Sequence, residues 1–332
     1  FTILAYVLYY WAVDPFTLFL GRMLEGIGYS AVVLVSIAKL EDLVAQQKNA
    51  NKSNVPARFG SSLSVGKLGH VLGPLIGGVI AAYYGLGSPF LAAVVGLGIV
   101  GMWYFFQKHN YHPLPPFRKL TWNPIPLWRE YLKVKPLRGL LALVMPHQFS
   151  IAVVFAFLPL FLVEHIHLSI EQVGIILFVK EIPQLMQQLA GKLTDKWGSK
   201  KVSILGTTLS GIGMIGFAFA STFEVVLITA FVYGLGASIL GIGTLAMLSG
   251  IGEKQKREAT YLGTHVSISK WGAFIAFIVS GIIVEAAGMP FLFALSGTLL
   301  FIGVIVGEEK MGFRSFPTPK PRMLVNLLFH HR

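Results

Sequence analysis

The stretch Gly191-Lys-Leu-Thr-Asp195-Lys-Trp-Gly198-Ser-Lys200-Lys201, GKLTDKWGSKK, interrupts an otherwise apolar region with five charged residues and two glycines. Val202 to Phe219 follows it as a run long enough for the hydrocarbon core of a bilayer, and apolar helix-length sequence precedes it. The stretch therefore reads as a basic turn between two membrane helices. Within it Asp195 is suited to cap a helix N-terminus and to pair with Lys200 or an arginine across the turn, which would latch the two helices in one state.

Composition supports the membrane reading. Of 332 residues 54% are hydrophobic and 13% charged, with a mean hydropathy of +0.68, against about 25% charged in soluble domains. Runs such as Leu18 to Ile37, Phe90 to Phe106, Val225 to Leu248 and Phe291 to Gly307 recur, giving about ten candidate spans, the first incomplete. The net charge of +12 would suit nucleic acid, but its distribution does not. Lysine and arginine occupy alternate loops: Lys39 to Arg58, Lys108 to Arg138, Lys192 to Lys201, Lys254 to Arg257 and the tail from Lys310. The opposite loops, around Asp14, Tyr84 to Pro89, Glu164 to Glu171, Ser221 to Glu224 and Glu285 to Pro290, hold none. This asymmetry predicts a multi-pass protein of the plasma or inner membrane with its basic loops and C-terminus in the cytoplasm, and no nucleic-acid partner. Cysteine is absent, which removes disulfides and thiolate metal sites. The chain opens on Phe1 inside an apolar run without a basic segment before it, so a truncated start is expected rather than a signal peptide.

The two halves repeat. An offset of 203 (263 minus 60) aligns Gly60 with Gly263, Lys67 with Lys270, Gly69 with Gly272, Gly78 with Gly281 and Gly85 with Gly288. In the preceding helix an offset of 208 pairs Gly26 with Gly234, Gly28 with Gly236 and Ser30 with Ser238. The second copy begins near Leu137, and on this register the first lacks roughly 70 residues, two helices and part of a third. The expected organisation is an incomplete N-terminal bundle over 1–107, a central cytoplasmic loop over 108–136, a six-helix bundle over 137–309 and a tail over 310–332.

Two sets of six helices joined by a long loop resemble the major facilitator superfamily. GKLTDKWGSKK fits that family's loop signature at Gly191, Asp195, Lys196, Gly198 and Lys200, with Ser199 in place of a usual basic residue. GRMLEGIGYS resembles its R-x-x-x-G-x-G motif at Arg22, Gly26 and Gly28, with Glu25 where the family more often has an amide. Gly60, Gly69, Gly73, Pro74, Gly77 and Gly78 fill G-x8-G-x3-G-P-x2-G-G, a pattern similar to that of proton-coupled drug and metabolite antiporters. The resemblance implies an all-α membrane protein of two six-helix bundles with about ten helices present, a monomer whose partners are the lipid bilayer, a small-molecule substrate and protons. Small residues allow close helix approach in lipid, and proline leaves a bend point.

Ionisable residues inside apolar runs cost energy and mark function or pairing. Arg22 lies roughly 9 Å from the outer end of its helix, with Glu25 on the same face at i+3. The pair is either a proton-linked switch or a structural salt bridge. Lys67 is nine residues beyond Arg58 and so roughly 13 Å deep, with His70 one turn on; Lys270 matches it in depth. His147, Gln148, Lys180 and Glu181 complete the buried polar set. Its cations exceed its anions, which would suit an anionic substrate, unless Lys180 pairs with Glu181 and Lys67 with an acid elsewhere. His147 either meets substrate or proton, or bonds a backbone carbonyl near Pro146. No catalytic constellation, phosphate loop, metal site or cofactor motif is present; His165 and His167 beside Glu164 read as a solvated outer loop. The expected activity is secondary transport by alternating access, with proton-coupled efflux of a drug or metabolite first. Uptake or exchange of an anionic metabolite and a non-transporting membrane sensor are the alternatives.

Overall fold

In a computed structural model the described residues are 1–29, 32, 55–106, 123–255 and 258–311, without the side chains of 55–67, 188, 253–255, 258 and 259. Among them there is no strand. The helices are α1 (Thr2–Trp11), α2 (helical over 15–29), α3 (Val55–Tyr84), α4 (Ser88–Phe106), α5 (Ile125–Lys133), α6 (Lys135–Glu164), α7 (Ile170–Glu181), α8 (Gln187–Trp197), α9 (Ser199–Phe219), α10 (Phe223–Gln255) and α11 (Glu258–Met311). Five of them are long and apolar enough to cross a membrane, and the chain is an integral, multi-pass, all-α membrane protein.

Local chemistry sets the helix ends. Asp14 caps α2: its carboxylate accepts from the Thr17 backbone N–H at 2.9 Å and from the Thr17 hydroxyl at 2.5 Å, which holds the Asp14 carboxyl below its usual range. Ser169 and Gln172 form a capping box at the start of α7. Three glycines turn the chain where a side chain would be strained: Gly85 at φ 92°, Gly198 at φ 84° and Gly288 at φ 84°. Gly85 and Gly288 are repeat mates, so the internal repeat extends to backbone conformation.

Gly288 breaks the 54 residues of α11 into a hairpin. Both arms pack on the same part of α6: a Cβ on Gly272 would stand 2.2 Å from the Met145 carbonyl oxygen, and one on Gly303 2.5 Å from that of Ala142. Glycines join α9 to α10 in the same way, with Gly206 against Leu240 and Gly236 against Ser210. Such contacts let backbones approach where lipid provides no hydrophobic drive between helices. Large apolar side chains from α6, α7, α9, α10 and α11, including Phe161, Phe217 and Phe293, fill the core between them. By contrast α4 buries no residue, a surface that suits lipid tails.

Two features differ from a plain helical bundle. The crossing made by α7 and α8 is divided by a 3-10 turn over Ile182–Met186, where Pro183 removes a backbone donor. The stretch read from sequence as a central loop contains α5, whose Tyr131 is fully buried and bonds the His265 ring nitrogen Nδ1 at 2.7 Å. Trp128 donates to the Ser267 hydroxyl at 3.2 Å and meets Trp271 edge on. At nine residues α5 is too short and too polar to register as a span; its amphipathic pattern was the available signal.

Candidate functional site

The polar residues expected inside the membrane form separate groups. The first joins α1, α2 and α6. One turn of α2 places Arg22 and Glu25 together, with Nη1 to Oε2 at 2.8 Å. Tyr9 of α1 donates its hydroxyl to the same Oε2 at 2.7 Å. Gly21 makes room for this, since a Cβ there would lie 2.5 Å from the Tyr9 ring. The Arg22 guanidinium carbon stands 5.2 Å from the Tyr9 ring centroid and 5.6 Å from that of Phe155 on α6. Phe90 of α4 packs on Tyr9 at 5.1 Å between centroids. Arg22 is thus held by a carboxylate and two aromatic faces, one of them belonging to the other half. The hold is weak: the Arg22 side chain is 58% exposed, so the ion pair contributes about 0.3 kcal/mol and each ring contact about 0.5–1 kcal/mol.

The second group surrounds the break in the α7–α8 crossing. Lys180 Nζ is 2.5 Å from Glu181 Oε1, and Gln184 donates to the other carboxylate oxygen. Pro183 leaves its carbonyl free to accept from the Ser238 hydroxyl of α10 at 2.9 Å. Lys180 is therefore neutralised by its neighbour, and the excess of buried cations expected from sequence shrinks, among the described side chains, to Lys270, which is exposed. Side-chain exposures of 19% and 12% put this pair in a desolvated setting. Glu181→Gln would leave an uncompensated ammonium and is expected to destabilise the protein by about 3 kcal/mol. The double variant Lys180→Met/Glu181→Gln should recover most of that loss, as read from thermal unfolding in detergent.

Adjacent residues of α6 face different neighbours. His147 is buried with Nδ1 lacking a hydrogen-bond partner, its ring 6.0 Å from that of Tyr233 on α10. Its carbonyl accepts from Ser150, whose hydroxyl also meets the Tyr233 hydroxyl at 3.1 Å. Gln148 instead faces α11, where Lys270 Nζ donates to its Oε1 at 3.2 Å. His70 is exposed on α3, while the surroundings of Gly60 and of the Lys67 side chain are outside what is described.

The glycine-proline helix α3 packs against α7 of the other half. A Cβ on Gly78 would stand 2.8 Å from Gly174 Cα, and one on Gly174 3.0 Å from the Pro74 carbonyl oxygen. A Cβ on Gly69, Gly73 or Gly77 would meet nothing described within 4 Å. Gly174 had no place in any sequence motif; only its contact reveals it. In the basic turn Gly198 supplies the positive φ that ends α8, and Gly191 has no crowding neighbour. Asp195 does not cap α9, whose N-cap is Gly198 without a side-chain bond, and its Oδ1 is buried without a hydrogen-bond partner. Among the described residues no group of three or more His, Cys, Asp or Glu could hold a metal ion.

Comparison with known proteins agrees with this architecture. The model of the Major Facilitator Superfamily matches residues 1–182 and again 140–327. An uncharacterized MFS-type transporter of Methanocaldococcus jannaschii is 25% identical over 266 residues, 77% of this chain and 67% of its own length. A vesicular acetylcholine transporter of Tetronarce californica is 25% identical over 138 residues, 41% of this chain. The methyl viologen resistance protein SmvA of Salmonella typhimurium is 28% identical over 116 residues, 34% of this chain. The matched regions span 27% and 23% of those two relatives. The chain belongs to the Major Facilitator Superfamily.

Proposed function

We propose that this superfamily member is a proton-coupled antiporter that exports a small organic solute by rocking of its two halves, with its basic loops in the cytoplasm. The observation that carries the reading is the Arg22–Glu25–Tyr9 group, which touches Phe155 of the opposite half. Glu25 can hold either Arg22 or a proton. Protonation removes the charge that holds the guanidinium, so Arg22 is released and its contact with α6 changes. The close approach of Gly78 to Gly174 supplies a second contact between halves, on the helix that resembles the antiporter motif. The names of two relatives add direction, since acetylcholine and methyl viologen are both organic cations and resistance to the latter suggests efflux.

The test is transport in proteoliposomes under an imposed pH gradient. Solute accumulation driven by the gradient, with countermovement of protons, is expected; transport indifferent to the gradient overturns antiport. One observation favours a second reading, uptake of an anionic metabolite: Lys270 is exposed and has a neutral amide, Gln148, as its described partner. On that reading Lys270→Gln lowers affinity for anionic substrates at least tenfold, measured by competition in the same vesicles. Unchanged affinity removes it.

A further inference from the structure

Arg22 occupies a place that has the attributes of a ligand site. Its guanidinium lies over the face of Tyr9 and over that of Phe155, and meets the Glu25 carboxylate oxygen. The Tyr9 hydroxyl donates to that oxygen and holds it in place. The contributions come from α1, α2 and α6, so the occupant contacts both halves at once. Aromatic faces attract weakly hydrated cations through their quadrupole, and a carboxylate adds charge complementarity. The guanidinium satisfies these groups, yet it is largely exposed and can swing away on its flexible stem.

We propose that the space between Tyr9, Phe155 and Glu25 is a cation-binding site, presently filled by the chain's own Arg22, and that a weakly hydrated organic cation displaces Arg22 from it during transport. The inference rests on the antiport reading and adds the substrate class and its position. Three cations then compete for one carboxylate: the Arg22 side chain, the transported solute and the proton. Competition of proton with solute yields exchange, since loading of one expels the other. Arg22 refills the site between loads, so that an ionised Glu25 is not left facing the aromatic rings alone.

The probe is radiolabelled tetraphenylphosphonium, with tetraphenylsilane as an uncharged competitor of the same shape. Both are applied to the purified full chain in detergent at one fixed pH. The wild type is expected to bind the cation, with no displacement by the silane. Arg22→Met should tighten binding about tenfold by removing the internal competitor. Glu25→Gln should weaken it at least tenfold, and Phe155→Leu by a similar factor. Thermal unfolding of each variant verifies that it is folded, and the wild-type comparison of cation with silane stands independently of any variant. Weaker binding in Arg22→Met, unchanged binding in Phe155→Leu, displacement by the silane, or no binding of the cation each overturns the site. If binding follows the expected pattern but no proton moves against the cation in vesicles, the site stands and the antiport reading falls.

Discussion

Glu25→Gln is expected to abolish transport driven by a pH gradient, by tenfold or more, while changing stability by less than about 1 kcal/mol. Glutamine keeps an oxygen that can accept from Tyr9 and from Arg22, so the polar contacts that position α1 on α2 persist. What it removes is the alternation between a charged and a neutral side chain. Without it Arg22 has no proton-dependent reason to leave or return. A folded variant that retains equilibrium exchange of solute but cannot accumulate it against a gradient would assign coupling to Glu25. Full gradient-driven accumulation by the variant would reduce the Arg22–Glu25 pair to the structural salt bridge that the sequence left as its alternative. Because the Arg22 side chain is 58% exposed, a purely structural ion pair would cost little to remove, and the kinetic readout decides between them.

Gly78→Val is expected to reduce transport by tenfold or more and to destabilise the protein by about 1–3 kcal/mol, the usual range for overpacking. The added Cβ would fall 2.8 Å from Gly174 Cα, with the Gly174 nitrogen at 3.4 Å and the Ile170 carbonyl oxygen at 3.5 Å. All three are backbone atoms, so relief requires separating α3 from α7 rather than turning a side chain. The discriminating control is Gly77→Ala in the same motif, where a Cβ meets no described atom within 4 Å. That variant should retain transport within about twofold, and replacement of a helical glycine by alanine can add up to about 1 kcal/mol of stability. Equal loss in both variants, measured as initial rates in proteoliposomes, would indicate that the motif acts through backbone flexibility rather than through contact between halves. Gly174→Val, whose Cβ would stand 3.0 Å from the Pro74 carbonyl oxygen, tests the same contact from the other side.

Much of this was legible in the chain. Hydropathy located spans such as Phe90 to Phe106 and Val202 to Phe219, which lie in α4 and α9, since a bilayer demands an apolar stretch of fixed length whatever the neighbours are. Glycine spacing revealed the repeat, and Gly85 and Gly288 carry it into positive φ because no other residue adopts that backbone easily. The i+3 spacing of Arg22 and Glu25 was enough to predict their pairing, because three residues on a helix bring side chains together without help from the fold. The same logic offered Asp195 as a cap, but Gly198 already starts α9. A short amphipathic helix such as α5 escaped notice because nine residues carry too little periodic signal, and docking on α11 through Tyr131 and His265 stabilises it.

Composition, spacing and repeat determined by themselves that this is a polytopic helical membrane protein of two related halves, and which of its residues are out of place in lipid. The tertiary structure alone decided the partners of those residues. It set Lys270 on Gln148, 122 positions away, faced Arg22 with Phe155 of the opposite half, and pressed Gly78 on a Gly174 that no motif had singled out. The division has a physical cause: transfer into lipid and helix geometry depend on residues within a few turns, whereas ion-pair partners and backbone contacts depend on which helices meet, at which height and on which face.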